Sequence, residues 1–166
     1  THPYQQLVGS LLWILKTRPD VKFAVSFLCR YMGNYNSELF KMALKVLVYL
    51  YHTHHFGIVY DCSCYSDTKI LKLQAFVDAD WGGRVEDSRS TTGWLLHLQS
   101  SPIFAASKIQ KRPSLSTAES EFNGVETVCK EIEWTIAFLR ELGLTVELPV
   151  TVWEDNHAMI ALTEDP

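Results

Sequence analysis

Along the first sixty residues the apolar side chains recur at the three-to-four spacing of helices, and from residue 71 they alternate as in strands. Tyr4, Leu7, Val8, Leu11, Leu12 and Leu15 fall on one helical face. Thr17-Arg18-Pro19-Asp20 interrupts it, because Pro19 disfavours helix at Arg18 and is suited to open the next one. Ala24, Phe27, Leu28 and Tyr31 mark a second helix, closed by Gly33 and Asn34. Ser37 is the expected N-cap of a third, running from Glu38 to about Thr53. Only Glu38, Lys41 and Lys45 form a polar stripe on it, which predicts burial on most sides.

Gly57 punctuates the chain, Ile58-Val59-Tyr60 is a short strand candidate, and residues 61–69 form a polar connector where a domain boundary is expected. Leu71, Leu73, Ala75 and Val77 then alternate with Lys72, Gln74, Phe76 and Asp78. A polar loop from Gly82 to Ser90 leads to a hairpin, with strands Gly93–Leu98 and Pro102–Ser107 around Gln99-Ser100-Ser101. Residues 116–142 predict a long helix. Ser116 and Glu119 form its capping box, and Phe122, Val125, Cys129, Ile132, Ile136 and Leu139 form its apolar face. Gly143 closes it, Val150–Glu154 predicts a fourth strand, and Asn156–Leu162 begins another helix. The order β-β-β-α-β-α predicts a mixed α/β domain with its last strand parallel to its first.

Composition changes this picture little. At 166 residues, 47% hydrophobic and 20% charged, the chain has the make-up of one or two globular domains. No apolar run approaches the ~18 residues of a membrane span. It opens on Thr1 with no signal-peptide pattern, and the expectation is a piece of a longer, intracellular polypeptide. The net charge of −4 is unevenly spread: the basic residues Lys16, Arg18, Lys22, Arg30, Lys41 and Lys45 face only Asp20 and Glu38 in the first sixty residues. Such a half suits nucleic-acid phosphates, although solvated helix faces explain it as well. Cys29 and Cys129 read as buried thiols. Cys62 and Cys64 with His54 and His55 lack the CxxC spacing of a zinc site.

The chemistry lies in three acidic stretches: Val77-Asp78-Ala79-Asp80-Trp81, Ser116-Thr117-Ala118-Glu119-Ser120-Glu121, and Val152-Trp153-Glu154-Asp155-Asn156. Each acid has an ordinary structural role open to it: an Asx turn at Asp78, a capping box at Glu119, an N-cap at Asp155. Glu121 has none, and it sits next to the predicted apolar face. Asp78, Glu121 and Asp155 all fall at element ends that can share one sheet edge, and hard divalent cations take oxygen ligands of this kind. His97 reads as a strand-pairing residue, and His157 lies close enough to Asp155 to reach a substrate. There is no GxSxG elbow, P-loop or HExxH.

In order along the chain, Tyr4–Leu12, Thr17–Asp20, Ser26–Met32, Asp78-Ala79-Asp80-Trp81, Arg89–Trp94, Ser107-Lys108, Leu115–Phe122 and Asp155-Asn156 resemble the ribonuclease H region of copia-type LTR-retrotransposon Pol polyproteins. The resemblance implies a ribonuclease H-like mixed sheet over residues 70–166, with the fold's fifth strand and last helix missing. Residues 1–60 would be thumb or connection helices of the reverse transcriptase, joined to it by 61–69. It further implies two Mg²⁺ ions (Mn²⁺ as a substitute) held by Asp78, Glu121 and Asp155 as catalytic metal ligands. Arg89, Lys108 and Asn156 would contact an RNA–DNA hybrid whose RNA strand is cut. The remainder of the Pol polyprotein is the implied partner, in a cytoplasmic virus-like particle or the nucleus. The alternative is a catalytically inactive remnant acting as a hybrid-binding or structural module. The family's fourth acid lies beyond the last residue, and Ser88, Ile109, Lys111, Glu154 and His157 depart from its usual residues. A transposase or integrase of the same fold places its catalytic Glu later, so the order Asp, helix Glu, strand-end Asp argues against one.

Overall fold

The computed structural model describes residues 3–60, 70–83 and 87–164. The connector 61–69, with Cys62 and Cys64, therefore lies outside the described residues. The chain divides into two compact units, Thr1–Ile58 and Val59–Pro166.

The first unit contains α1 (Tyr4–Ile14), a 3-10 turn (Pro19–Val21), α2 (Lys22–Cys29) and α3 (Ser37–His52). Its core has two neighbouring clusters, one around Tyr4, Val8, Leu28 and Ala43, the other around Leu11, Val21, Val25 and Leu50. The Tyr4 hydroxyl donates to the Leu28 carbonyl at 2.7 Å, and its ring stacks on Tyr35 at 4.5 Å. Arg18 is buried and grips both oxygens of Asp20 while donating to the carbonyl and hydroxyl of Thr53. This guanidinium holds the Asp20 carboxyl below its usual range and fastens the proline turn to the end of α3.

Several expectations for this unit are corrected. Asn36, not Ser37, caps α3, its side chain accepting from the Leu39 N–H at 2.9 Å. The α3 helix is not buried on most sides. Ala43 and Leu50 are buried, whereas Met42, Leu47, Val48 and Tyr51 are exposed, because two short helices cover only one side of it. Leu12 is exposed, α2 ends at Cys29 ahead of Gly33, and residues 58–60 form no strand.

The second unit contains β1 (Ile70–Leu71), β2 (Leu73–Asp80), β3 (Thr91–Leu98), β4 (Ser101–Ile109), α4 (Thr117–Glu141), β5 (Thr145–Val146), β6 (Thr151–Trp153) and α5 (His157–Glu164). Four strands form a mixed sheet in the order β4-β3-β2-β6, and β1 pairs separately with β5. β2, β3 and β4 are antiparallel neighbours, while β6 runs parallel to β2 as the sequence order predicts. The hairpin turns at Gln99, whose φ is 56°. Leu73, Ala75, Val77, Trp94 and Leu96 meet Val128, Ile132 and Leu139 of α4 in the core. On the opposite face Phe76 stacks with Trp153 and meets His97 edge-on.

Of the apolar face predicted for α4, Ile132 and Leu139 are buried and Val125 and Ile136 pack against the core, while Phe122 and Cys129 depart from it. Ser120, Glu121, Gly124, Val128, Ile132, Thr135 and Leu139 are buried, whereas Phe122 is half exposed and Cys129 is exposed. Small residues occupy this stripe because the helix lies close to the sheet. A Cβ on Gly124 would meet methyl groups of Val77 and Thr92 at 3.2 Å. No described helix is long and apolar enough to cross a membrane.

Candidate metal centre

The strand register brings the first two acids together. Phe76 of β2 pairs with Trp153 of β6 in parallel, so two residues further along each chain Asp78 and Asp155 emerge side by side. β6 has ended by then, which leaves that side of Asp78 open. The third acid arrives from above. Gly124 seats α4 against Val77 and Thr92, and Glu121 lies one turn earlier on the same buried stripe. Oxygens of Asp78, Glu121 and Asp155 lie within 4.8 Å of one another.

The capping roles at the ends of α4 and α5 are filled without Glu121 or Asp155. Asn156 caps α5, its side-chain oxygen accepting from the Met159 N–H at 3.1 Å, so Asp155 is not the N-cap. Ser116 caps α4 by accepting from the Glu119 N–H, and Glu119 accepts in turn from the Leu115 N–H. Asp80 turns away over Gly83, where a Cβ would overlap its carboxylate, and Gly82 takes the bend at φ 62°.

Glu121 is the most telling of the three. It is 5% exposed, and its Oε2 is buried without a hydrogen-bond partner. Burial, then the charges of Glu154, Asp78 and Asp155, push its carboxyl up to about 7 against a backbone hydrogen bond from Ala79. Among the described residues no Lys, Arg or His forms an ion pair with Asp78, Glu121 or Asp155. A buried oxygen with no donor, facing two further carboxylates, fits a divalent cation by its donor chemistry.

A polar network holds the first turn of α4 in place. Gln110 donates to the Thr92 hydroxyl at 2.9 Å and the Ser120 carbonyl at 2.8 Å, and accepts from Ser114, which accepts from Asn123. The Trp81 indole donates to the Ser114 carbonyl at 2.9 Å, tying the turn after β2 to the same network. Sequence reasoning missed Gln110, because a polar residue after a strand carries no periodic signal.

The other candidates are scattered. Arg89 is held by Asp87 at 3.1 Å. Lys108 lies over the Trp94 ring, 3.9 Å from Glu131. Asn156 adjoins the three acids through Asp155. His97 is partly buried against Phe76, and burial lowers its pKa. His157 is exposed at the start of α5.

No protein-family model matches the chain. No solved structure matches it either. It is 34% identical over 163 residues to the retrovirus-related Pol polyprotein from transposon RE2 of Arabidopsis thaliana, covering 98% of this chain and 11% of that protein. The Pol polyprotein from transposon TNT 1-94 of Nicotiana tabacum is 33% identical over 164 residues, covering 98% of this chain and 12% of that protein. The secreted RxLR effector protein 161 of Plasmopara viticola is 31% identical over 133 residues, 80% of this chain and 90% of that protein. The chain thus spans about a ninth of the length of the polyproteins it matches. Those matches run over 98% of the chain, which is therefore homologous to one segment of retrovirus-related Pol polyproteins from transposons.

Proposed function

We propose that residues 70–166 form a ribonuclease H-like domain that cuts the RNA strand of an RNA–DNA hybrid, with Asp78, Glu121 and Asp155 holding two Mg²⁺ ions. The observation that carries this reading is the buried Glu121 carboxylate, one oxygen of which has no hydrogen-bond partner, in a group with Asp78 and Asp155 whose oxygens lie within 4.8 Å of one another. Divalent cations held by Asp78, Glu121 and Asp155 would supply water activation and charge stabilisation for phosphodiester hydrolysis. The protein's own contribution is rigidity. Asp78 stands on a paired strand, Asp155 is fixed by the turn into α5, and Glu121 is fixed by the seating of α4. No side-chain nucleophile is required. Asn156 uses its oxygen to cap α5, which leaves its amide nitrogen to reach a phosphate or 2′-hydroxyl, the group that distinguishes RNA from DNA. Arg89 and Lys108 are phosphate contacts in the same reading.

A second reading is a hybrid-binding module without turnover, and the added carboxylate of Glu154 beside the three acids favours it. One assay separates the two. A 5′-labelled RNA annealed to DNA is incubated with the chain in Mg²⁺ or in EDTA, alongside Asp78→Asn. The enzyme reading predicts Mg²⁺-dependent cleavage that Asp78→Asn loses. Hybrid retention in a gel shift with no cleavage in either protein contradicts it and supports the binding module.

A further inference from the structure

Glu154 has a place in this centre that the three-acid description does not include. It follows Trp153 at the end of β6 and is partly buried. Its Oε1 accepts from the Asp155 N–H at 3.2 Å and the Asn156 N–H at 3.0 Å, so one carboxylate oxygen clamps the turn that carries Asp155. Its other oxygen, Oε2, is buried and has no hydrogen-bond partner, the same condition as the Oε2 of Glu121. Glu121 and Glu154 thus each keep one buried carboxylate oxygen without a hydrogen-bond partner. Glu154 stands outside the group of oxygens within 4.8 Å of one another, so its role is that of a supporting residue.

We propose that Glu154 is a positioning carboxylate of the metal centre. Through Oε1 it sets the direction of Asp155, and through its charge it strengthens the hold on divalent cations bound by Asp78, Glu121 and Asp155. This rests on the metal-binding reading of those three residues. A carboxylate behind the direct ligands orients them and adds negative potential, and losing such a partner weakens metal affinity by roughly 10–100-fold.

The test is Mn²⁺ titration of the full 166-residue chain, following free Mn²⁺ by its paramagnetic resonance signal. The variants are Glu154→Gln and Asp78→Asn, with folding checked by circular dichroism in EDTA. Glutamine keeps an oxygen that can accept from the Asp155 and Asn156 N–H groups but carries no charge. A purely structural Glu154 would thus be rescued by it. The expected result is Mn²⁺ binding by the wild type, loss of binding in Asp78→Asn, and binding weakened by about tenfold or more in a folded Glu154→Gln. Unchanged affinity in Glu154→Gln, with binding lost in Asp78→Asn, overturns the role of Glu154 and leaves the centre standing. No Mn²⁺ binding by the wild type overturns both. Should Glu154→Gln fail to fold, Glu154→Ala removes both the Oε1 acceptor and the charge, and wild-type Mn²⁺ affinity in a folded Glu154→Ala overturns the role of Glu154 as well.

Discussion

Glu121 holds its proton more tightly in the folded chain than in the unfolded one, and this fixes the sign of a pH effect. Its carboxyl rises from 4.5 to about 7, through burial first and then through Glu154, Asp78 and Asp155. The associated stabilisation is complete below about pH 4.5 and is lost as the pH climbs through 7. Without divalent cations, thermal melts should therefore show stability falling between pH 5 and pH 8, by an amount on the order of 3 kcal/mol from this group. Glu154, also shifted upward by burial, acts in the same direction. Asp20 acts in the opposite direction, but only at lower pH, because its carboxyl is held below 3.8. Glu121→Gln should flatten the pH 5–8 slope, and Mg²⁺ should raise the melting temperature most at pH 8. A slope unchanged by Glu121→Gln would contradict this account. At the same scale, Asn156→Ala removes the cap of α5 and should cost about 1 kcal/mol in chemical denaturation. Sequence placed Asp78, Glu121 and Asp155 at element ends, because acid-bearing strand and helix ends are visible as motifs. It offered Asp155 as the cap of a helix starting at Asn156, one residue too early, since both residue types cap well and only the Met159 hydrogen bond identifies Asn156.

Among the elements, α4 governs the site because it must lie close enough to the sheet for Glu121 to reach Asp78. Gly124 makes that possible, with Val77 and Thr92 already 3.2 Å from where a Cβ would stand. Gly124→Leu should push the helix outward and destabilise the fold by about 1–3 kcal/mol, measured by urea denaturation. It should also weaken Mn²⁺ binding, and an unaltered urea midpoint would show that the helix seat is not tight. The alternation of β2 was legible in Leu73, Ala75 and Val77, all buried, because a two-residue period leaves little choice of face. On α4 the reading found Val125, Ile132, Ile136 and Leu139, but it included the exposed Phe122 and Cys129 and missed Gly124, Val128 and Thr135 of the buried stripe. Periodicity weights large apolar residues, and a helix held close to a sheet buries small ones instead. A similar cause misled the reading of α3, whose apolar residues surround it although only one side meets other helices.

For the whole molecule, the two units have separate cores: Tyr4, Val8, Leu28 and Leu50 belong to one, Leu73, Trp94 and Ile132 to the other. All residues of the candidate centre belong to the second unit. Residues 59–166 expressed alone should therefore melt cooperatively and bind Mn²⁺ with an affinity close to that of the full chain. A non-cooperative melt of that fragment would show that the second unit depends on the first. The change from helical to alternating spacing near residue 70 was plain in the sequence. The parallel pairing of β1 with β5 was not, because two-residue strands carry no periodic signal.

The most direct measurement is anomalous diffraction from crystals of the chain grown with Mn²⁺. The account predicts an anomalous peak bonded to carboxylate oxygens of Asp78, Glu121 and Asp155, lost in crystals of Asp78→Asn. Ordered side chains at those three residues, with no anomalous peak among them at saturating Mn²⁺, would contradict it.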